Sequence, residues 1–258
     1  MDLGARTRIF ISSILSKMPF LFREGYQQVN YAGGNIYLDL KESEMMRQRA
    51  LGGYEPRKTE LFKKIVKPGM TIIDIGSNKG YYSLLSAKLS EDRGTVLAFE
   101  PDPDNRYWLK KSIEANGYKS IEIFPVALSD SNGDAVFYKG KRSGWGSMVR
   151  SVNNTGQEIK VKTRKLDDLL KERKINKVDI IKIDVEGADL LVLKGAENTL
   201  KGNLKLIMDI DVKNSDEKRE LFVFLKSLGL SIYEVGEELR EVRDSMEGVK
   251  EIYVVRED

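Results

Sequence analysis

From residue 56 onward two patterns alternate along the chain. Short, nearly continuous apolar runs lie at Thr71–Ile75, Thr95–Phe99, Ile121–Ala127, Val178–Ile183, Leu204–Ile210 and Leu230–Val235. Between them, apolar positions recur at helical spacing around Tyr81–Leu89, Pro103–Asn116, Leu190–Leu200 and Asp216–Leu228. Strands with no polar face are buried on both sides, and the intervening helices supply the cover. The pattern predicts an α/β fold built of βαβ units around a mostly parallel sheet. Glu251–Val255 is expected to return as a last strand beside Ser231–Val235. Two further strands, Asp134–Tyr138 and Glu158–Thr163, break the alternation. They are joined by a Gly/Ser/Asn-rich loop, Gly140 to Gly156, of a length that in a compact domain is more often functional or mobile than idle.

Residues 1–55 are expected to form a helical cap or extension, and residues 56–258 the main domain. No apolar run reaches the ~20 residues that a membrane-spanning helix needs. Arg6 to Lys17 reads as a helix packed on the core, with Phe10, Ile14 and Leu15 sharing a face and Ile11 beside them. The other reading is a peripheral membrane contact through residues 1–23. A cleavable leader is not expected, since there is no small-residue cleavage site and Lys17 and Arg23 follow the apolar segment. A cytoplasmic location is the expectation.

Composition narrows the chemistry. Lys+Arg 43 against Asp+Glu 40 leaves a formal charge of +3, although 32% of residues are charged. That balance argues against a nucleic-acid partner, which needs a concentrated basic excess. The 258 residues include no cysteine and no histidine. Disulfides, thiolate metal sites and every His-dependent catalytic arrangement are thereby excluded. Proton transfer must fall to Asp, Glu, Lys, Tyr or water.

The sharpest motif is Thr71-Ile-Ile-Asp74-Ile-Gly76-Ser77-Asn78-Lys-Gly80-Tyr. An apolar strand ends in a carboxylate, turns through glycines and enters a helix whose first N–H groups are free for a ligand. Neither the dinucleotide fingerprint G-x-G-x-x-G nor a Walker A sequence is present. A carboxylate there repels a pyrophosphate and suits an ammonium group. The next strand ends in Phe99-Glu100-Pro101-Asp102, which places Glu100 20 residues after Gly80, the reach of an acid that binds ribose hydroxyls. A ribose and an ammonium-bearing tail without a pyrophosphate describe S-adenosylmethionine.

With these residues in view, residues 52–212 resemble the FkbM family of S-adenosylmethionine-dependent methyltransferases. The resemblance rests on Gly53-Tyr-Glu55 before Val66-Lys-Pro-Gly69, Asp74 to Gly80, Ala98 to Asp102, and Lys182-Ile-Asp-Val-Glu-Gly-Ala-Asp189 continuing to Leu193-Lys-Gly-Ala196. Ala127-Leu-Ser-Asp130 followed by Gly133 fits as well. The family implies a Rossmann-like class I fold with a seven-stranded sheet, and O-methylation of a hydroxyl on a sugar, glycan or related small metabolite. Carried onto this chain, it implies that Asp74, Gly76, Asn78 and Gly80, with Ser77 between them, hold the methionine portion. Glu100 would hold the ribose, Pro101 and Asp102 would shape the adenine edge, and Val126, Ala127, Leu128 and Ser129 would approach the adenine. The chain departs from the family at Lys79, where an apolar residue is common, and at Asp189, where Glu is frequent.

For the reaction itself, Asp184 and Glu186 follow the fourth strand, and share one face if that strand continues through them. Asp184 is placed first as base or substrate-orienting group and Glu186 second, the alternative being that both merely start the next helix. Asp209 and Asp211 interrupt the fifth strand and, with Asp184, could hold Mg2+. Capping the strand end or pairing with lysines is the plainer role. The family often carries a Glu and a His near that strand end; here there is no histidine. Two other functions stand beside the leading one: methylation of RNA or protein, and a module that keeps the fold without chemistry.

Overall fold

The computed structural model describes residues 3–210 and 215–257. The N-terminal part runs α1 (Leu3–Leu15), a 3-10 turn (Pro19–Leu21), a hairpin of β1 (Tyr26–Tyr31) and β2 (Gly34–Asp39), and α2 (Glu44–Leu51). The regular alternation follows: α3 (Pro56–Ile65), β3 (Thr71–Ile75), α4 (Tyr81–Leu89), β4 (Thr95–Phe99), α5 (Pro103–Asn116) and β5 (Ile121–Phe124). An insertion of β6 (Val126–Leu128), β7 (Gly133–Gly140) and β8 (Asn154–Arg164) precedes α6 (Leu166–Glu172) and β9 (Ile180–Ile183). The chain closes with α7 (Asp189–Lys194), α8 (Glu197–Leu200), β10 (Lys205–Asp209), α9 (Ser215–Ser227), β11 (Ser231–Val235), β12 (Leu239–Glu241) and β13 (Glu251–Val255).

The main sheet has eight strands in the order β12-β11-β13-β10-β9-β3-β4-β5. Neighbours from β5 to β10 are parallel, whereas β13 is antiparallel to both β10 and β11. Seven of these strands match the expected count. The short β12, fully exposed and paired only with β11, extends the edge by one. The strand expected over Ile121–Ala127 is divided at Pro125: Ile121–Phe124 stays in the sheet, while Val126–Leu128 leaves it to pair with β8. Proline has no N–H to continue a ladder, which makes that break local and sharp. The helix expected over Leu190–Leu200 is likewise two short helices, broken around Gly195, whose added Cβ would lie 2.0 Å from the Ser129 carbonyl.

Alternation along the strands sorts two cores. Ile73, Ile75, Leu97, Phe99, Ile181, Ile183, Leu206 and Met208 point to one face, under α7 and α9. Ile72, Ile180 and Ile207 point to the other, against Phe62, Leu84 and Leu85. Ile36 and Leu38 of the hairpin and Met46 of α2 belong to this second core. Residues 26–51 are therefore built into the main hydrophobic core, and the expected helical cap contains a hairpin. Helix α1 is the exception: Ser12 and Ser16 are buried, whereas Phe10, Ile11 and Ile14 are exposed. The expected apolar packing face is thus turned outward. Among the described residues no helix is long and apolar enough to cross a membrane.

Candidate active site

Strand order reverses between β3 and β9, because the chain steps outward to β4 and β5 on one side and to β10 on the other. In open α/β sheets the carboxyl ends of the strands at such a point border a crevice. Here they border a cavity of about 570 Å³, counting its open mouth. Gly76, at φ 75°, makes the two strand ends meet: a Cβ there would lie 1.8 Å from the Asp184 carbonyl oxygen. Only glycine permits that approach.

Glu100 lines the cavity. Its Oε2 accepts the Asn78 N–H at 2.7 Å and its Oε1 the Asp102 N–H at 2.8 Å. Burial pushes its pKa up to about 7, more than these two bonds offset. Each oxygen keeps acceptor capacity for a ligand hydroxyl. Pro101 lies beside it, and Val126, Ala127, Leu128, Phe137 and Met148 give an apolar wall sized for a flat ring. Asp184, Val185 and Ala188 line the cavity with Gly76 and Asn78.

The long loop between β7 and β8 completes the wall with Ser143, Gly144 and Gly146. The Ser143 carbonyl accepts from Asn78 Nδ2 at 3.0 Å and Asn105 Nδ2 at 3.3 Å. Glu42 accepts the Ser143 N–H at 2.5 Å. Ser147 Oγ donates to the Glu186 carbonyl at 2.9 Å. Lys79, the departure from the family pattern, is fully buried and stands behind the lining residue Ser143. Its Nζ donates to Glu42 at 2.8 Å and to Ser143 Oγ at 2.6 Å, so it ties the N-terminal segment to this loop.

Several expected ligand residues stand behind the cavity wall. Asp74 shares the face of Ile72 and is buried: its Oδ2 accepts from Ser83 Oγ at 2.5 Å and its Oδ1 lies 3.7 Å from Lys182 Nζ. Burial raises its pKa despite Lys182 and Ser83. Gly80 caps the start of α4 at φ 94°, Ser77 donates its N–H to the Phe99 carbonyl, and Asp102 caps α5 by accepting the Asp104 N–H. Ser129 donates its N–H to the Arg164 carbonyl. The strand before Asp184 ends at Ile183, so Asp184 and Glu186 do not share a strand face. Glu186 sits in a turn at φ 54°, and only Asp184 of the two lines the cavity.

Beside Asp184 lies a buried charge cluster that the sequence indicated only in part. The register sets Lys182 between Asp74 and Ile207, and alternation puts Asp209, two residues past Ile207, on the same face. Helix α3 adds Lys58, wholly buried, whose Nζ lies 2.6 Å from Asp209 Oδ2, 2.7 Å from Glu55 Oε2 and 3.9 Å from Glu251. Tyr82 donates its hydroxyl to Glu55 at 2.8 Å. Lys182 lies 3.3 Å from Asp184 Oδ2. Burial pushes the Asp184 carboxyl up, but Lys182, Lys58 and Arg49 outweigh it and hold it below the ordinary carboxylate range. Asp209 is raised by burial and by the neighbouring Asp184 and Glu55 carboxylates. The two acids are thus pushed apart, Asp184 toward the ionised form and Asp209 toward the protonated one.

This cluster corrects the expected metal set. Asp211 lies outside the described residues. The carboxylates that converge are Glu55, Asp184 and Asp209, within 4.8 Å of one another. The Lys58 ammonium already sits between Glu55 and Asp209 at hydrogen-bond distance, in the space a divalent ion would need. The residues present therefore fit an ammonium and not Mg2+.

Comparison with known proteins bears on the fold and the family. A solved candidate rRNA methylase from Clostridium thermocellum has the same fold, with a TM-score of 0.50 at 10% identity over 79% of this chain and 95% of that one. The 2-O-methyltransferase NoeI of Sinorhizobium fredii is 29% identical over 177 residues, 61% of this chain and 72% of that protein. The hexuronic acid methyltransferase AglP of Haloferax volcanii is 30% identical over 139 residues, and the chain spans about half of its length, 54%. The profile of the methyltransferase FkbM domain matches residues 74–250, more than half of the chain, and covers both the Asp74–Gly80 turn and the Lys182–Asp189 segment. The chain belongs to the FkbM-domain methyltransferases.

Proposed function

We propose that this protein transfers a methyl group from S-adenosylmethionine to a hydroxyl of a sugar, glycan or related small metabolite. One observation carries the reading: a single cavity is lined by a buried Glu100, by an ionised Asp184 and by an apolar wall. A nucleoside with a positively charged tail matches that set of surfaces. NoeI and AglP act, by their names, as a 2-O-methyltransferase and on hexuronic acid, which supports a carbohydrate hydroxyl as acceptor.

The bound cofactor supplies an electrophilic methyl group. Glu100 receives the ribose hydroxyls, and the side chains of Val126 to Leu128 and Phe137 flank the adenine. The loop from Ser143 to Ser147 closes the cavity against water, which would otherwise screen the charges and compete as acceptor. Asp184 accepts a hydrogen bond from the acceptor hydroxyl, orients its lone pair and takes the proton as the oxygen is methylated. A carboxylate held low in pKa is a weak base, so alignment is its larger contribution. No step needs a metal ion.

Incubation with methyl-labelled S-adenosylmethionine and a panel of free and linked hexoses and hexuronic acids tests the reading. The expected product is a methyl ether located by NMR. Label appearing only on RNA or protein substrates would contradict it.

A further inference from the structure

Helix α1 and the 3-10 turn after it form an inside-out element. Small polar residues usually face solvent, yet here Ser12 and Ser16 are buried at 2% and 0% exposure. They let α1 lie close against α2, where Arg47 donates its Nε–H to the Ser16 carbonyl and its Nη1 to the Leu40 carbonyl at 2.7 Å. The same guanidinium stands 6.0 Å over the Phe22 ring, which fixes the segment after the turn. The apolar side chains are left outside: Phe10 is 66% exposed and Phe20 76%, with Ile11, Ile14 and Leu21 also exposed. Among the described residues, these are five of twelve exposed large hydrophobic side chains, gathered within twelve positions. A patch of this kind on a rigid display marks a docking surface.

Charge identifies the occupant. Residues 3–23 contain Arg6, Arg8, Lys17 and Arg23 and no acidic residue, in a chain that otherwise balances its charges. Arg6, Phe10 and Ile14 follow helical spacing on one side of α1, and Lys17 follows in the turn after the helix. Exposed Arg6, Lys17 and Arg23 frame the patch. Apolar anchors framed by long basic side chains fit the boundary between acyl chains and anionic headgroups, with the cations reaching up to the phosphates. A protein partner would need complementary acids around a matched apolar groove; a bilayer offers both without shape matching. We infer that α1 and the Pro19–Leu21 turn dock the protein on the surface of an anionic lipid bilayer, without crossing it.

The full chain should sediment with vesicles of equal parts phosphatidylcholine and phosphatidylglycerol and stay in solution with phosphatidylcholine alone. Raising salt from about 0.1 M to about 0.5 M should weaken the association. Phe10→Ser with Phe20→Ser should reduce the bound fraction at least about tenfold, since two large anchors are lost. Arg6→Glu with Lys17→Glu should reduce it on anionic vesicles. The conservative Phe20→Trp should keep binding, with its emission moving to shorter wavelength when vesicles are added. Failure of the folded parent protein to sediment with anionic vesicles would overturn the inference, as would full binding by the double serine variant. So would a dimer that the double serine variant splits in the absence of lipid, which would assign the patch to a second copy of the chain.

Discussion

At the scale of single residues, Glu100 gives a pH signature. Its pKa stands at about 7 in the fold against an ordinary 4.5, so ionising it costs the free protein stability as the pH rises between those values. Ligand hydroxyls that donate to the carboxylate favour the ionised form. Cofactor affinity should therefore be flat above pH 7 and weaken below it by up to about tenfold per pH unit. Glu100→Gln should bind weakly and lose that dependence, which titration at several pH values would show; an unchanged slope would remove Glu100 from the ribose site. Asp184→Asn should weaken cofactor binding, because the charge that faces the positive tail is lost, and should lower kcat at saturating cofactor by about a hundredfold or more, the usual range for loss of a positioned proton acceptor. Gly76→Ala forces a Cβ into the Asp184 carbonyl and should cost about 2 kcal/mol or more, read as a lowered Tm. Glu100 was legible from spacing alone, because a strand end and a fixed interval to the previous turn define its place. Asp74 shows the limit. The motif marked it, but strand alternation turns it with Ile72 toward α4, where Ser83 donates to its Oδ2 and Lys182 stands 3.7 Å from its Oδ1.

At the scale of elements, the charge cluster depends on α3 meeting the ends of β9 and β10. Lys58 and Asp209 are 151 positions apart, and no local pattern announces such a pair. The acids were visible as interruptions of apolar strands. The lysine that neutralises them was not, since an isolated Lys in a helix usually faces water. Lys58→Ala removes the ammonium that Glu55 and Asp209 share and should cost about 3 kcal/mol or more. It should also create a site for a cation: added Ca2+ should raise the Tm of that variant and leave the parent unchanged. Equal stabilisation of both would show that Lys58 does not occupy a metal position. The β7–β8 loop was recognised by length and composition, while its place over the cavity follows from long-range bonds of Ser143 to Glu42, Asn78 and Asn105. The hairpin of β1 and β2 alternates apolar and polar residues on either side of Gly33 and Gly34. Its pattern is written in residues 26–39, but the expectation of a helical cap passed over it.

For the whole molecule, apolar periodicity was enough to predict the parallel sheet, because strands buried on both faces have almost no freedom to carry polar residues. It did not fix the number of strands: β12 is three exposed residues whose only pairing is to β11, and nothing in its composition separates it from a loop. Nor did it fix how the first 55 residues attach. Their hairpin joins the main core through Ile36 and Leu38, whereas α1 attaches through serines and carries its apolar side chains outside. Because the ammonium of Lys58 holds the carboxylate cluster together, methyl transfer should proceed unchanged after complete chelation with EDTA; loss of turnover restored by Mg2+ would contradict a metal-free reaction. The most direct measurement is calorimetric titration of the purified chain with S-adenosylmethionine, alongside NAD as a control. The structure predicts saturable binding of S-adenosylmethionine at one site per chain, weakened in Glu100→Gln, with no heat from NAD. A folded protein that binds neither, or binds NAD alone, would contradict the assignment of the cavity and with it the proposed role of Asp184.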